Sequence, residues 1–140
     1  MACFECLAGS GGLTEIMARA NQDNKEFSKS LEKRTRDFAV RIIRLSGQLP
    51  DSREAGVIRH QLTKAGTSIG ANYREANRSR SRADFRSKIK ICESEASETQ
   101  YWLEIITETG LLPPKKVEAE HVECSELLAL FTSIGSKINP

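Results

Sequence analysis

Residues Gln61–Ile106 read QLTKAGTSIGANYREANRSRSRADFRSKIKICESEASETQYWLEII, and two helical periodicities meet in them. In the first part Leu62, Ala65, Ile69 and Ala76, preceded by Ile58, mark one face. In the second, Phe85, Ile89, Cys92, Ala96, Thr99, Leu103 and Ile106 recur at spacings of three and four. Such spacing lays a single apolar stripe along an α-helix. Between the stripes stands a polar, basic turn, Asn77-Arg78-Ser79-Arg80-Ser81-Arg82. Ser81, with Asp84 three residues on, supplies the N-cap of the next helix. Small residues crowd the first stripe (Ala65, Gly66, Ser68, Gly70, Ala71). A mid-helix glycine costs about 1 kcal/mol relative to alanine, so the two glycines predict a close helix–helix approach that offsets them.

Working outward, the hairpin has a helix on either side. Leu31, Phe38, Ile42 and Leu45 predict a helix from about Ser30 to Ser46, ended by Gly47 and Leu49-Pro50. Asp51-Ser52-Arg53-Glu54 then reads as a capping-box variant with Asp51 as the cap. The hairpin's second helix runs from about Arg82 to Thr109 and stops at Gly110. Pro114 suits the first turn of a final helix through Val117, His121, Cys124, Leu127 or Leu128, Phe131 and Ile134. Four amphipathic helices joined by short loops predict an all-α, up-down-up-down four-helix bundle over residues 26–140. Residues 1–25, with Gly9-Ser10-Gly11-Gly12, read as a flexible or partly helical tail, with a turn or two behind Thr14.

A chain of 140 residues fits one domain and can bury a core without metal or disulfides. Cys3 and Cys6 form a lone CxxC with no second pair to complete a zinc site, while Cys92 and Cys124 read as small core residues. No apolar run reaches the ~18 residues of a membrane span, and the N-terminus lacks a basic region followed by an apolar core. The expectation is a cytoplasmic protein with reduced thiols and no membrane partner. Charge is unevenly distributed. Residues 74–90 carry seven basic and two acidic groups, and residues 93–126 carry two basic and nine acidic. That asymmetry fits an anionic partner for the basic part, or copies of the chain meeting basic surface to acidic surface.

The runs TSIGANYREA (Thr67–Ala76), SRADF (Ser81–Phe85) and SETQYWLEI (Ser97–Ile105), in this order, resemble the 23S rRNA intervening-sequence proteins, also called the S23 or four-helix bundle family. The resemblance covers roughly residues 30–135. It implies a left-handed bundle assembled as a homopentameric ring. It also implies kinship with the accessory protein of diversity-generating retroelements, which binds nucleic acid and a reverse transcriptase.

Arg74, Arg78, Arg80, Arg82, Arg86, Lys88 and Lys90 are the candidate nucleic-acid-binding residues. Arginine's planar fork donates two parallel hydrogen bonds to phosphate, and clustered cations bind nucleic acid by counterion release. The plainer reading is a solvated turn whose arginines pair with Glu75, Asp84 or a neighbouring subunit. Asn72, Tyr73, Phe85, Tyr101, Trp102 and Leu103 are candidates for packing within the bundle or between subunits. Successive helix positions point about 100° apart, so Trp102 and Leu103 serve different surfaces.

Glu118-Ala119-Glu120-His121 holds one Glu-x-x-His, whereas a di-metal bundle needs two, and Val57 stands where His60 would need a glutamate. Glu75, Glu95 and Glu98 favour a hydrogen-bonded network over a metal. No cofactor motif or nucleophile–base pair appears. The leading expectation is a non-enzymatic oligomer whose basic rim contacts RNA or DNA, as an accessory to a nucleic-acid enzyme. The alternative is a structural or protein-binding oligomer with no nucleic-acid role.

Overall fold

The computed structural model describes residues 12–138. They form four α-helices and, among the described residues, no strand: α1 (Gly12–Ser46), α2 (Arg53–Ala76), α3 (Arg82–Glu108) and α4 (Pro114–Lys137). By internal contacts the chain divides into two units, residues 1–31 and residues 32–140. The Cys3/Cys6 pair lies outside the described residues.

The helix α1 starts well before Ser30, where the apolar stripe placed it. No Gly or Pro stands between Leu13 and Ser46 to break it, and Glu15 in its first turn complements the helix dipole. Thr14 is therefore inside the helix. Leu13, Ile16, Met17 and Phe27 are exposed, so the first half of α1 has helical character without burying a core face.

In the second unit the predicted stripes become the core. Phe38, Ile42 and Leu45 of α1 are buried with Ile58, Leu62, Ala65, Ile69 and Ala76 of α2. Ile89, Cys92, Ala96, Thr99, Leu103 and Ile106 of α3 join Val117, Cys124, Leu127 and Phe131 of α4. Full burial of each large aliphatic or aromatic side chain is worth roughly 1.5–3 kcal/mol. Leu127 takes the core position and Leu128 is half-buried, which resolves the ambiguity of the stripe. Phe85 and His121 are also half-buried.

Contacts between helices run in opposite chain directions. Between α1 and α2, Thr35 faces Gly70, Ile42 faces Gly66, and Ser46 Oγ lies 3.1 Å from Thr63 Oγ1. Between α2 and α3, the Cys92 thiol donates to the Ile69 carbonyl and Lys88 reaches Glu75. Between α3 and α4, the Cys124 thiol donates to the Ala96 carbonyl and, further along α3, Glu104 meets His121. Arg34 and Arg41 of α1 bond Glu123 and Glu120 of α4. Across the interior, Tyr73 of α2 and Phe131 of α4 meet edge-on with ring centroids 5.5 Å apart.

The glycines of α2 make its closest approach. A Cβ on Gly66 would stand 2.7 Å from Ile42 Cγ2 and 3.1 Å from Ile42 Cβ, so only a hydrogen atom fits there. The connections are equally specific. Ser52, not Asp51, caps α2, accepting from the Ala55 N–H at 3.2 Å. One position's shift is enough, because an N-cap side chain bonds the amide two or three residues on. Arg59 donates to the carbonyls of Ser46, Leu49 and Pro50, satisfying acceptors that the end of α1 leaves open. Gly110, at φ 72°, ends α3. There the Leu111 N–H bonds the Ile106 carbonyl and the Gly110 N–H bonds that of Thr107, the Schellman pattern.

Burial pushes the thiols of Cys92 and Cys124 up to about 12. The thiolate is the reactive form, so neither should be alkylated in the folded protein. Iodoacetamide at pH 8 followed by peptide mapping is expected to leave both unmodified until denaturant is added. Rapid labelling of either without denaturant would contradict the packing around α3.

Candidate nucleic-acid interface

The basic turn is a short connection with both ends pinned. Asn77 ends α2, its N–H bonding the Tyr73 carbonyl, and its amide donates to Glu32 Oε2 at 3.0 Å. The N–H groups of Arg78 and Ser79 bond the carbonyls of Glu75 and Ala76. Ser81 then caps α3, accepting from the Asp84 N–H at 3.0 Å. The cations are thus carried by a fixed backbone, one of them on α2, two within the turn and four on the first turns of α3.

Their environments differ. Arg74 is half-exposed, with Nε 3.8 Å from Glu32 Oε1. Lys88 donates to Glu75 Oε2 at 3.0 Å, and that hydrogen bond raises its pKa. Arg78, Arg80, Arg82 and Lys90 are exposed. Arg86 is half-buried, and its Nε is buried with no hydrogen-bond partner. Among the described residues, Arg78, Arg80, Arg82, Arg86 and Lys90 have no carboxylate oxygen within 4 Å, whereas Arg74 and Lys88 do. Glu75 therefore pairs with Lys88, and not with an arginine of the turn.

The acidic stretch downstream is partly answered inside the chain. Glu123 takes both Arg34 Nε and Nη2, at 2.8 and 2.6 Å, and this two-point bond raises the Arg34 pKa. Glu120 accepts from Arg41 at 3.0 Å, and Glu104 meets His121 at 2.9 Å. The Glu95 pKa is raised, first by burial and then by nearby Glu98, while Lys64 opposes the shift. Glu75 bonds Lys88 rather than joining Glu95 and Glu98. Among the described residues no three His, Cys, Asp or Glu side chains are grouped to hold a metal ion.

The packing candidates separate into two sets. Tyr73 and Leu103 are core residues, and the Asn72 amide bonds the Ser68 carbonyl of its own helix at 2.8 Å rather than a neighbouring helix. Tyr101 is 53% exposed and stacks edge-on with Trp102 at 5.0 Å. Trp102 Nε1 and Glu95 Oε2, seven positions apart on one side of α3, are both buried without a partner. No helix among the described residues is long and apolar enough to cross a membrane.

These features define a class: an all-α protein of four helices, with a cationic turn between its second and third. Within that class the chain belongs to the 23S rRNA-intervening sequence protein family, which it matches over residues 21–133. It is similar to the crystal structure of a Bacteroides thetaiotaomicron protein of unknown function from the S23 ribosomal protein family. The identity is 38% over 76% of this chain and 98% of that one, with a TM-score of 0.71. No curated protein matches the chain.

Proposed function

We propose that this chain acts by binding rather than catalysis, contacting RNA or DNA through its basic turn as an accessory to a nucleic-acid enzyme in the cytoplasm. The observation that carries this reading is the set of cations without an internal counter-ion: Arg78, Arg80, Arg82, Arg86 and Lys90, gathered around one pinned turn. Exposed guanidinium groups on a fixed backbone suit phosphate, because they donate in pairs and need little reordering on binding. Arg80→Glu with Arg82→Glu is expected to abolish a salt-sensitive gel shift with structured RNA. Each lost phosphate contact should flatten the dependence of log affinity on log salt by about one unit. Unchanged binding by the double variant would overturn the reading.

The bundle is proposed to be up-down-up-down and left-handed, and to assemble as a homopentamer. The opposed contact directions support the first, and family resemblance the other two. A second reading, a structural oligomer without a nucleic-acid role, is favoured by one particular surface. Trp102 Nε1 and Glu95 Oε2 lie buried and unpartnered beside exposed Tyr101, and Trp and Tyr are enriched where protein surfaces meet. Light scattering should give about five times the chain mass, and Trp102→Ala should lower it. A monomeric wild-type protein, or a variant that sediments unchanged, would remove this interface.

A further inference from the structure

A groove of about 480 Å³ runs between α1 and α2, lined among others by Arg36, Arg74 and Arg78 and by the small residues Gly70, Ala71 and Ala39. Arg74 lies in the last turn of α2 and Arg78 in the connection just after it, and both border the groove. Arg36 comes from α1, one turn beyond the Glu32 that faces Arg74. The two carboxylates of the groove are already engaged: Glu32 by Asn77 and Arg74, and Glu75 by Lys88. Among the described residues, Arg36 and Arg78 have no carboxylate oxygen within 4 Å. Three guanidinium groups, from α1, α2 and the turn, thus border one cleft, and two of them, Arg36 and Arg78, are left without a carboxylate partner among the described residues. Like charges held in this way repel, and an anion entering between them relieves the repulsion.

We propose that this groove is a phosphodiester-binding site, in which Arg36 acts with Arg74 and Arg78 on the backbone of a single nucleic-acid strand. The proposal rests on the reading of the basic turn as a nucleic-acid contact and extends that contact onto α1. Arg78 stands where the groove meets the turn, so a strand in the groove continues toward Arg80 and Arg82. Neighbouring helix axes lie only about 8–10 Å apart, which leaves room for one strand's phosphates and not for a duplex. Three of the lining residues, Gly70, Ala71 and Ala39, carry no side chain beyond Cβ, which leaves room for a phosphate beside the arginines. No aromatic residue lines the groove, so it offers no platform for base stacking, and recognition is through phosphate alone and independent of sequence.

The test is fluorescence anisotropy of the full chain with short, labelled, mixed-sequence single-stranded RNA, across a range of salt. Arg36→Glu is expected to weaken binding roughly tenfold and to lower the salt slope by about one, with Arg36→Lys retaining most of the affinity. Arg44→Glu, on the same helix but outside the groove, is expected to match the wild type. A duplex of the same sequence should lose little on Arg36→Glu. Arg36→Gln gives the same test without adding a negative charge, and circular dichroism verifies that each variant is folded. Wild-type affinity in Arg36→Glu and Arg36→Gln, with binding lost in the Arg80/Arg82 double variant, overturns the groove and leaves the turn standing. No binding by the wild type overturns both. An altered sedimentation coefficient in Arg36→Glu with unchanged RNA affinity assigns the groove to contact between copies, and also overturns the proposal.

Discussion

Phe131→Ala is expected to lower the unfolding free energy by about 3–5 kcal/mol, a large part of the 5–15 kcal/mol typical of a folded domain. Phe131 is fully buried in α4, and its ring meets Tyr73 of α2 edge-on at 5.5 Å. The substitution removes the transfer free energy of the ring and leaves a cavity. It also strips Tyr73 of an aromatic contact worth about 0.5–1.5 kcal/mol beyond area alone. How far the helices can close on the cavity sets where in that range the loss falls. The check is denaturant unfolding at fixed protein concentration, since any self-association makes stability concentration-dependent. A midpoint loss at unchanged slope reports stability. A loss below about 1 kcal/mol would show that α2 and α4 do not pack across the interior as described.

Gly66→Ala and Gly56→Ala are expected to move stability in opposite directions, although both place alanine in the same helix. Alanine is the better helix former by about 1 kcal/mol. At Gly56 nothing lies within 4 Å of the added Cβ, so the substitution should stabilise by about 0.5–1 kcal/mol. At Gly66 the Cβ would sit 2.7 Å from Ile42 Cγ2 and 3.1 Å from both Cβ and Cγ1 of Ile42. Ile42 Cβ is one bond from the backbone, so α1 itself must shift, at the upper end of the roughly 1–3 kcal/mol cost of overpacking. The net expectation is a loss of about 1–2 kcal/mol. The collision also predicts coupling: Ile42→Ala removes Cγ2 and Cγ1 and leaves only its Cβ at 3.1 Å, so in that background Gly66→Ala should cost less. Additive effects of Gly66→Ala and Ile42→Ala would show that the two helices do not approach here.

Much of the fold was legible because helical packing leaves a local mark. Ile89, Cys92, Ala96, Leu103 and Ile106 are apolar at helical spacing, and they are buried. Ser81 caps α3 and Gly110 ends its last turn in the left-handed region, as their types imply. The start of α1 was not legible, because an apolar stripe marks only a face that is buried, and Leu13, Met17 and Phe27 stay exposed. Thr35 and Ser46, both buried, were missed for a related reason. A hydroxyl looks polar in sequence, yet each hydroxyl here is satisfied by a carbonyl one turn back and so enters the core at little cost.

The candidate site divides in the same way. By residue type and order alone, the chain determined four amphipathic helices, the family and a cationic turn between the second and third. Only the tertiary structure decided which charges are free. Arg34 meets Glu123 and Arg41 meets Glu120 across separations of 89 and 79 residues, while Arg36, on the same helix, borders the α1–α2 groove. Ion pairing depends on distances of a few ångströms set by helix register and rotation, and periodicity records neither. The same register left Arg78, Arg80 and Arg82 without a carboxylate oxygen within 4 Å among the described residues.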